Sequence, residues 1–186
     1  SGAPRYSGTI ISMPISGQII KYMEDQFEFY KKLSKHVSKD LTIRLYPHDY
    51  EWDQYSRWKD VFPMSAIDNG DTSFDKLIRS ANLVIAGWNS TTYLESMSSN
   101  VPTVLFWNPE FFELNEDAKN LFEELRKVGI YHDSPDSAAN HVIKIWDDID
   151  GWWDTPEVAE AKNKFVNSYA SCVNLVDKLN TVLRLV

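Results

Sequence analysis

Short apolar runs rich in β-branched residues alternate with stretches of helical periodicity along the whole 186-residue chain. Apolar runs of this kind that end in turn residues are typical of buried strands. They occur at Gly8–Ile15, Leu41–Tyr46, Ser65–Ile67, Leu83–Gly87, Thr103–Trp107 and Gly129–Tyr131. Because neighbouring parallel strands are usually joined by a helix, the alternation favours a mostly parallel sheet with helices on both faces. We therefore predict a single α/β domain over residues 1–186, with a Rossmann-like three-layer architecture.

Cap residues indicate where several helices begin. Ser134-Pro135 and Thr155-Pro156 each place a hydroxyl at the N-cap and a proline at the first helical position, which is a strong start signal. The helix opened by Thr155-Pro156 should run to the C-terminus. Helical spacing of apolar residues predicts an earlier helix from Gln18 to about Val37. Shorter helices are predicted at Gln54–Val61, from Ser73 through Arg79, in the segment that ends near Ser99, and at Asp117–Lys127.

The composition restricts the classes of partner. The net charge is -8, and the Lys and Arg residues are interleaved with acids, which argues against nucleic acid. One cysteine, Cys172, excludes an internal disulfide framework and a Cys-rich zinc site, and it fits a reducing compartment. No apolar run approaches the roughly 20 residues that span a bilayer, and no signal peptide opens the sequence. We expect no transmembrane segment.

In parallel sheets, ligands bind outside the carboxyl ends of the strands, so the loops that follow the strands are the places to look. The most informative loop has the sequence WNSTTYLE and follows the fourth predicted strand. The first N–H groups of a helix lack partners there, and the hydroxyls of Ser90, Thr91 and Thr92 can add donors around a phosphate. Glu95, about one turn further, could accept hydrogen bonds from a ribose. The alternative is that Asn89 or Ser90 only caps the helix.

A second candidate follows the second predicted strand. Arg44 lies inside that strand, and His48 follows the Pro47 that ends it. Together they could bind a phosphate or a sugar carboxylate, with the guanidinium offering a bidentate fork. The alternative is a structural ion pair between Arg44 and a neighbour such as Asp49, with His48 as a solvated loop residue.

Three further loops carry weaker indications. Ser16 and Gly17 stand at a helix start, where backbone could approach a phosphate. Asp68 and Asn69 follow the third predicted strand, where a base or a ribose could be recognised, although a plain turn explains them equally well. Asn108 precedes two aromatic residues and two acids that suit sugar stacking and hydroxyl bonding, or a wall against a second domain.

Other nucleotide and metal signatures do not occur. No GxGxxG follows the first predicted strand, no Walker GKS or GKT is present, and no GxSxG elbow is found. His36, His48, His132 and His141 are far apart in sequence, without acids at metal spacing, which disfavours zinc. We expect neither a metal nor a bound cofactor.

The WNSTTYLE loop and the residues after it resemble the nucleotide-sugar loop of GT-B glycosyltransferases. In that loop a small-residue turn precedes a helix bearing Glu, and a Pro opens the next strand. Here the matching residues are Trp88 to Ser96, followed by Asn100-Val101-Pro102-Thr103. More narrowly, the chain resembles a family of transferases from bacterial O-antigen and surface-polysaccharide gene clusters. The stretches that carry this resemblance are RLYPHDYEWDQ, IDNG, WNSTTYLES, FWNPEFFEL, VGIYHDSPDSAA and IWDDIDGWW. Matches to the family as a whole are spread over nearly the entire chain, from Pro4 to Tyr169.

The resemblance implies that the chain is the C-terminal half of a GT-B fold and that the N-terminal acceptor domain is absent from it. It implies a metal-independent glycosyltransferase, incomplete as this fragment, that moves a sugar from a nucleotide-sugar to a bacterial surface polysaccharide or O-antigen precursor. The implied partners are the nucleotide-sugar and a glycan or lipid-linked acceptor held by the missing domain. The implied location is the cytoplasm or the periphery of the inner membrane.

On this resemblance the WNSTTYLE loop forms the donor site. Ser90, Thr91 and Thr92 would bind the donor phosphate, Asn89 would belong to the same loop, and Glu95 would bind the ribose. The catalytic base of such enzymes usually lies on the N-terminal domain or in the cleft, so we expect it outside this chain.

The resemblance also gives Arg44 and His48 a role beside the donor phosphate or a donor carboxylate. An Arg and a His in that place would suit a CMP-linked acidic sugar, as in Kdo and sialic acid transferases.

Three other functions stay open at this point. They are a sugar-nucleotide epimerase half of the same architecture, a non-catalytic nucleotide- or glycan-binding module, and an assembly module with aromatic clusters as its interface.

Overall fold

The computed structural model describes residues 17–49 and 51–170. The helices within them are α1 (Ile19–Lys32), α2 (Lys35–Ser38), α3 (Gln54–Val61), α4 (Phe74–Ser80), α5 (Thr91–Ser98), α6 (Glu116–Lys127), α7 (Pro135–Ile145), α8 (Ile149–Trp153) and α9 (Pro156–Tyr169). The strands are β1 (Thr42–Arg44), β2 (Ala66–Asp68), β3 (Val84–Ala86), β4 (Thr103–Phe106) and β5 (Tyr131–His132). The strand predicted at Gly8–Ile15, the candidate Ser16 and Cys172 lie outside the described residues.

The described strands pair in parallel throughout. β1 pairs with β2, and β3, β4 and β5 form a second sheet in that order. At least one helix joins each pair of consecutive strands among the described residues. The prediction of an α/β, Rossmann-like three-layer domain is confirmed.

The layers are set by β4, which is buried on both faces. Val104 and Phe106 point into a cluster with α1 and α7, where the ring of Phe29 stacks on Phe106 at 4.8 Å. Leu105 and Trp107 point the other way, into a cluster with residues of α5, α6 and α9. Successive side chains of a strand point to opposite faces, so a strand covered on both sides is apolar except where a buried polar group is hydrogen-bonded, as the Thr103 hydroxyl is to Val101 and Ser96.

Helix α1 connects the two sheets. Its Phe29 belongs to the cluster on β4, whereas Ile19 and Met23 pack with Leu45, which follows β1, and with Trp58 of α3. Helix α1 therefore contributes apolar side chains to the clusters on both sheets.

The cap signals of the sequence hold in part. The Ser134 hydroxyl accepts from the Ser137 amide, with Pro135 at the first helical position. Pro156 opens α9 as predicted, but the Thr155 hydroxyl donates to the carbonyl of Trp152 and does not cap that helix. The long helix predicted from Gln18 to about Val37 is wrong, because it is interrupted after Lys32. Leu33 is extended, and Ser34 accepts from the Val37 amide and begins α2.

Two histidines, His132 of β5 and His141 of α7, come together where α7 packs on β5. The rings of His132 and His141 lie 5.2 Å apart, and Trp152 packs against His141 at 5.0 Å. His132 is held by the Ser137 hydroxyl at 2.8 Å and the Gly129 carbonyl at 3.0 Å, whereas His141 Nε2 is buried without a hydrogen-bond partner. Burial lowers the pKa of His141 to about 4, with smaller contributions from His132 and Lys144, and burial also lowers the pKa of His132.

This pair should make folding sensitive to acid. Both histidines have a lower pKa folded than the ordinary 6.5, so the unfolded chain binds more protons and stability should fall as pH drops from about 6.5 towards 4. We expect urea unfolding over this range to show a smaller pH dependence in His141→Gln than in the unsubstituted protein. Comparing slopes removes any general loss of stability in the variant, and equal slopes would contradict the assignment.

Candidate functional site

The loops that follow β1, β2 and β3 meet at the carboxyl ends of the strands. The ring of Tyr46, after β1, lies 6.0 Å from that of Trp88, after β3. Gly70, after β2, comes so close to Pro47 that a Cβ there would lie 2.7 Å from the proline Cγ, and its φ of +91° favours glycine. The polar loops singled out in the sequence are therefore neighbours in space.

The WNSTTYLE loop leads directly into α5. Ser90 occupies the N-cap position with an extended backbone, but its hydroxyl makes no cap hydrogen bond. Ser90 Oγ is buried and has no partner among the described residues. Asn89 does not cap the helix either, because its Oδ1 accepts from the Tyr93 hydroxyl at 2.8 Å. The capping alternative is therefore not what the structure shows, and the first turn of α5 begins without a side-chain cap.

Tyr93 holds this loop in place. Its ring is buried against Trp107, Phe122 and Phe165. Burial raises the pKa of Tyr93 to about 12, so the phenol stays protonated and can donate to Asn89. The Asn89 side chain is thus part of the scaffold of the loop.

The remaining predicted residues of α5 face outward to different degrees. Thr91 and Glu95 are exposed, and Thr92 is partly buried. Because Thr91 and Glu95 are separated by one helical turn, they lie on one side of α5. A ligand at the start of α5 could reach both.

Arg44 and Asp68 form an ion pair across the ends of β1 and β2. They stand in register as the last residues of the two strands, with Nη1 2.8 Å from Oδ2. Arg44 Nη1 also donates to the Thr72 carbonyl at 2.5 Å, and Asp68 Oδ1 accepts from the Gly70 amide at 3.1 Å. The ion-pair alternative for Arg44 is the arrangement that the structure shows, but the partner is Asp68, not Asp49.

The Asp49 carboxylate accepts hydrogen bonds from backbone amides at the start of α3. The donors are the amides of Asp53 at 2.7 Å and Gln54 at 2.9 Å. Burial acts to raise the pKa of Asp49, but hydrogen bonds from Gln54 and Asp53 and the nearby charge of His48 outweigh it, so the pKa is lowered. The carboxylate stays ionised at neutral pH. His48 itself is exposed.

An open groove lies at the end of β1, between the loops that follow β1 and β2 and the start of α3. Its volume is about 380 Å³, within the range of small-molecule sites. We call it the β1 groove. It is lined by Leu45, Tyr46, Pro47, Asp49, Asp53, Gln54, Tyr55 and Asn69.

Sequence reasoning identified Asn69 but missed Asp53, Gln54 and Tyr55. The cluster of acid, amide and aromatic residues directly after RLYPHDYEW was the available signal. From sequence this cluster indicates only a helix start, because the turn that brings α3 back over β1 cannot be deduced from spacing. In that turn Glu51 and Asp53 adopt positive φ values of 64° and 54°.

A second recess lies beside Gly87 at the end of β3. Trp107, Asn108 and Gln26 are among the residues that line it, and its water-accessible space of about 10 Å³ is close to the size of one water molecule. Asn108 Oδ1 accepts from the Glu110 amide at 2.9 Å and so stabilises the turn after β4. This recess is too small for a sugar. Gly17 lies just before α1, with open space around its Cα.

Residues 17–49 and 51–170 contain neither a cluster of metal-ligating side chains nor a helix that could cross a membrane. No group of three or more His, Cys, Asp or Glu in these residues could hold a metal ion. No helix in them is both long enough and apolar enough to cross a membrane. The His132–His141 pair therefore has no third ligand in the described part of the chain.

A family model described as LIC12162 family transferase matches residues 1–181 of the chain. No curated protein matches the chain. No solved structure matches it either.

The Arg44–Asp68 pair should hold together the loops that follow β1 and β2. Its loss should therefore lower the free energy of unfolding. In a double-mutant cycle with Arg44→Ala and Asp68→Ala, we expect a coupling free energy of about 1–2 kcal/mol, since the residues share a hydrogen-bond network and are partly buried. The matched control is the ion pair of Arg79 with Asp75, which also has short contacts but is three-quarters exposed and should show little coupling. Equal coupling in the two cycles, measured by urea unfolding, would contradict this role.

Proposed function

Because the chain belongs to the LIC12162 family of transferases, we propose that it is the donor-binding domain of a GT-B-type glycosyltransferase. The proposed reaction moves a sugar from a nucleotide-sugar to a bacterial surface polysaccharide or O-antigen precursor. The membership supports transfer as the class of reaction. The resemblance of the WNSTTYLE loop to the nucleotide-sugar loop of GT-B enzymes supports the sugar donor, and the α/β fold with parallel strands is compatible with both.

The observation that carries the proposal is the buried Ser90 hydroxyl at the start of α5. A buried polar group without a hydrogen bond costs about 1–3 kcal/mol, and buried polar groups in proteins are nearly always paired. Here the unpaired group stands where the first N–H groups of a helix also lack a side-chain cap. A phosphate oxygen would accept from both once the groups that cover Ser90 Oγ move aside.

The neighbouring residues extend this site in a chemically consistent way. Thr91 and Thr92 add two hydroxyls on the first turn, and the positive end of the α5 dipole favours an anion. When the bond between the anomeric carbon and the phosphate oxygen breaks, negative charge develops on the departing nucleotide. Donors fixed around that phosphate would stabilise the charge without reorganisation.

The other predicted residues take more limited roles in this proposal. Glu95 would accept from ribose hydroxyls one turn further along α5. Arg44 would position the loop after β2 through Asp68, since its guanidinium is already engaged there. His48 stays a candidate for a donor phosphate or carboxylate, and a CMP-linked acidic sugar is the donor that such a contact would favour.

The test is thermal unfolding with CMP, UDP, GDP, ADP and their sugar conjugates. A ligand at ten times its dissociation constant stabilises by about 1.4 kcal/mol, which corresponds to a rise of about 3–6 °C for a domain of this size. Ser90→Ala should abolish the rise while leaving the melting temperature of the free protein unchanged or slightly higher, because it removes an unpaired buried hydroxyl.

Ser99→Ala, at the other end of α5, is the matched control and should keep the full rise. A rise that survives Ser90→Ala, or no rise with any nucleotide, would refute the donor site. Nucleotide binding would exclude a pure assembly module. Sugar transfer by the chain joined to its acceptor domain would separate the transferase from an epimerase or a binding module.

A further inference from the structure

The β1 groove is acidic. Among the described residues that line it, Asp49 and Asp53 bring two carboxylates, and none is Lys, Arg or His. His48 lies near enough to lower the pKa of Asp49 but does not line the groove. An anionic group, such as a phosphate or the carboxylate of an acidic sugar, would meet like charge here. The groove is therefore unsuited to the anionic part of a donor.

The hydrogen-bonding groups of the groove are mainly acceptors. An ionised carboxylate only accepts, and the carboxamides of Gln54 and Asn69 both accept and donate. Asp49 already accepts two backbone N–H groups, but each of its oxygens has capacity for another bond. A lining rich in acceptors fits a ligand rich in donors. A sugar ring offers a hydroxyl on most of its carbons, whereas a nucleobase offers few N–H groups.

The Gln54 side chain lies beside the Asp49 carboxylate and contributes to the lowered pKa of that group. Its Nε2 is buried, so only the accessible part of the carboxamide would meet a ligand hydroxyl.

Two tyrosines give the groove its aromatic surface. Tyr46 is 39% exposed and Tyr55 is 47% exposed, on the loop after β1 and on α3 respectively. Tyr46 is supported by the Trp88 ring. The C–H face of a sugar ring packs well on an aromatic ring, and the volume of the groove accommodates one or two such rings.

We propose that the β1 groove binds a neutral, hydroxyl-rich sugar ring of a glycan, by stacking on Tyr55 and Tyr46 and by hydrogen bonds to Asp53, Gln54 and Asn69. This goes beyond the proposed donor site, which uses the start of α5. The contact between Tyr46 and Trp88 places the groove beside the loop that carries Ser90. A glycan in the groove would lie next to the donor, so this chain itself would contribute to recognition of the acceptor.

The test is saturation-transfer NMR on the full 186-residue chain. The probes are the methyl glycosides of glucose, galactose, mannose and N-acetylglucosamine, with N-acetylneuraminic acid as the anionic comparison and the four ribonucleosides as the base comparison. We expect at least one neutral glycoside to bind. Tyr55→Ala should weaken that binding about three- to tenfold through the lost ring contact, and Asn69→Ala should weaken it too.

Two further variants make the result specific. Tyr55→Phe keeps the ring and should bind within about twofold of the unsubstituted chain, because stacking needs no hydroxyl. Tyr169→Ala removes a tyrosine of similar exposure, 42%, at the far end of α9, and should leave glycoside binding unchanged.

Four outcomes would overturn the proposal. They are no binding of any neutral glycoside, glycoside binding that neither Tyr55→Ala nor Asn69→Ala weakens, binding of N-acetylneuraminic acid as tight as that of the neutral glycosides, and nucleoside binding that these two variants abolish in the absence of glycoside binding. The glycosides carry no phosphate. Their binding is therefore independent of the donor site at α5, and either proposal can fail alone.

Discussion

The burial of β4 on both faces is the constraint on which the rest of the structure depends. Val104 and Phe106 pack against the helices on one face of the sheet. Leu105 and Trp107, the residue directly after β4, pack against the helices on the other face. A polar residue at any of these positions would lie unpaired in one of the two cores. β3, which leads into the WNSTTYLE loop, pairs with β4, so the position of β4 in the core also places that loop.

The loops at the carboxyl ends of the strands are held by contacts that are not themselves a ligand site. The Arg44–Asp68 pair joins the ends of β1 and β2, and the Tyr93–Asn89 hydrogen bond braces the loop after β3. Arg44, Asp68 and Asn89 have the chemistry of ligand-binding residues, but their side chains bond to other parts of the protein and hold the loops in place. The proposed donor site relies on the groups that the fold does not satisfy, above all the Ser90 hydroxyl.

Charge divides this edge of the molecule into two parts. The start of α5 offers hydroxyls, uncapped N–H groups and the positive end of a helix dipole, whereas the β1 groove presents carboxylates, carboxamides and exposed tyrosines. One part favours an anion and the other disfavours it. A transferase needs to hold two chemically different substrates side by side, and in the two proposals above this division would serve a phosphate and a neutral sugar.

The amino-acid sequence by itself determined the class of fold and the position of the WNSTTYLE loop, because hydrophobic period and turn residues are local properties. It could not show that Ser34 interrupts the first long helix, since a serine cap competes with continued helix through local energies of similar size. Only the tertiary structure decided that Arg44 pairs with Asp68 instead of Asp49, that His132 meets His141, and that α3 folds back to make the β1 groove. Each of these depends on the register of strands or on how a helix packs against a strand, and such contacts are set by how whole surfaces fit together.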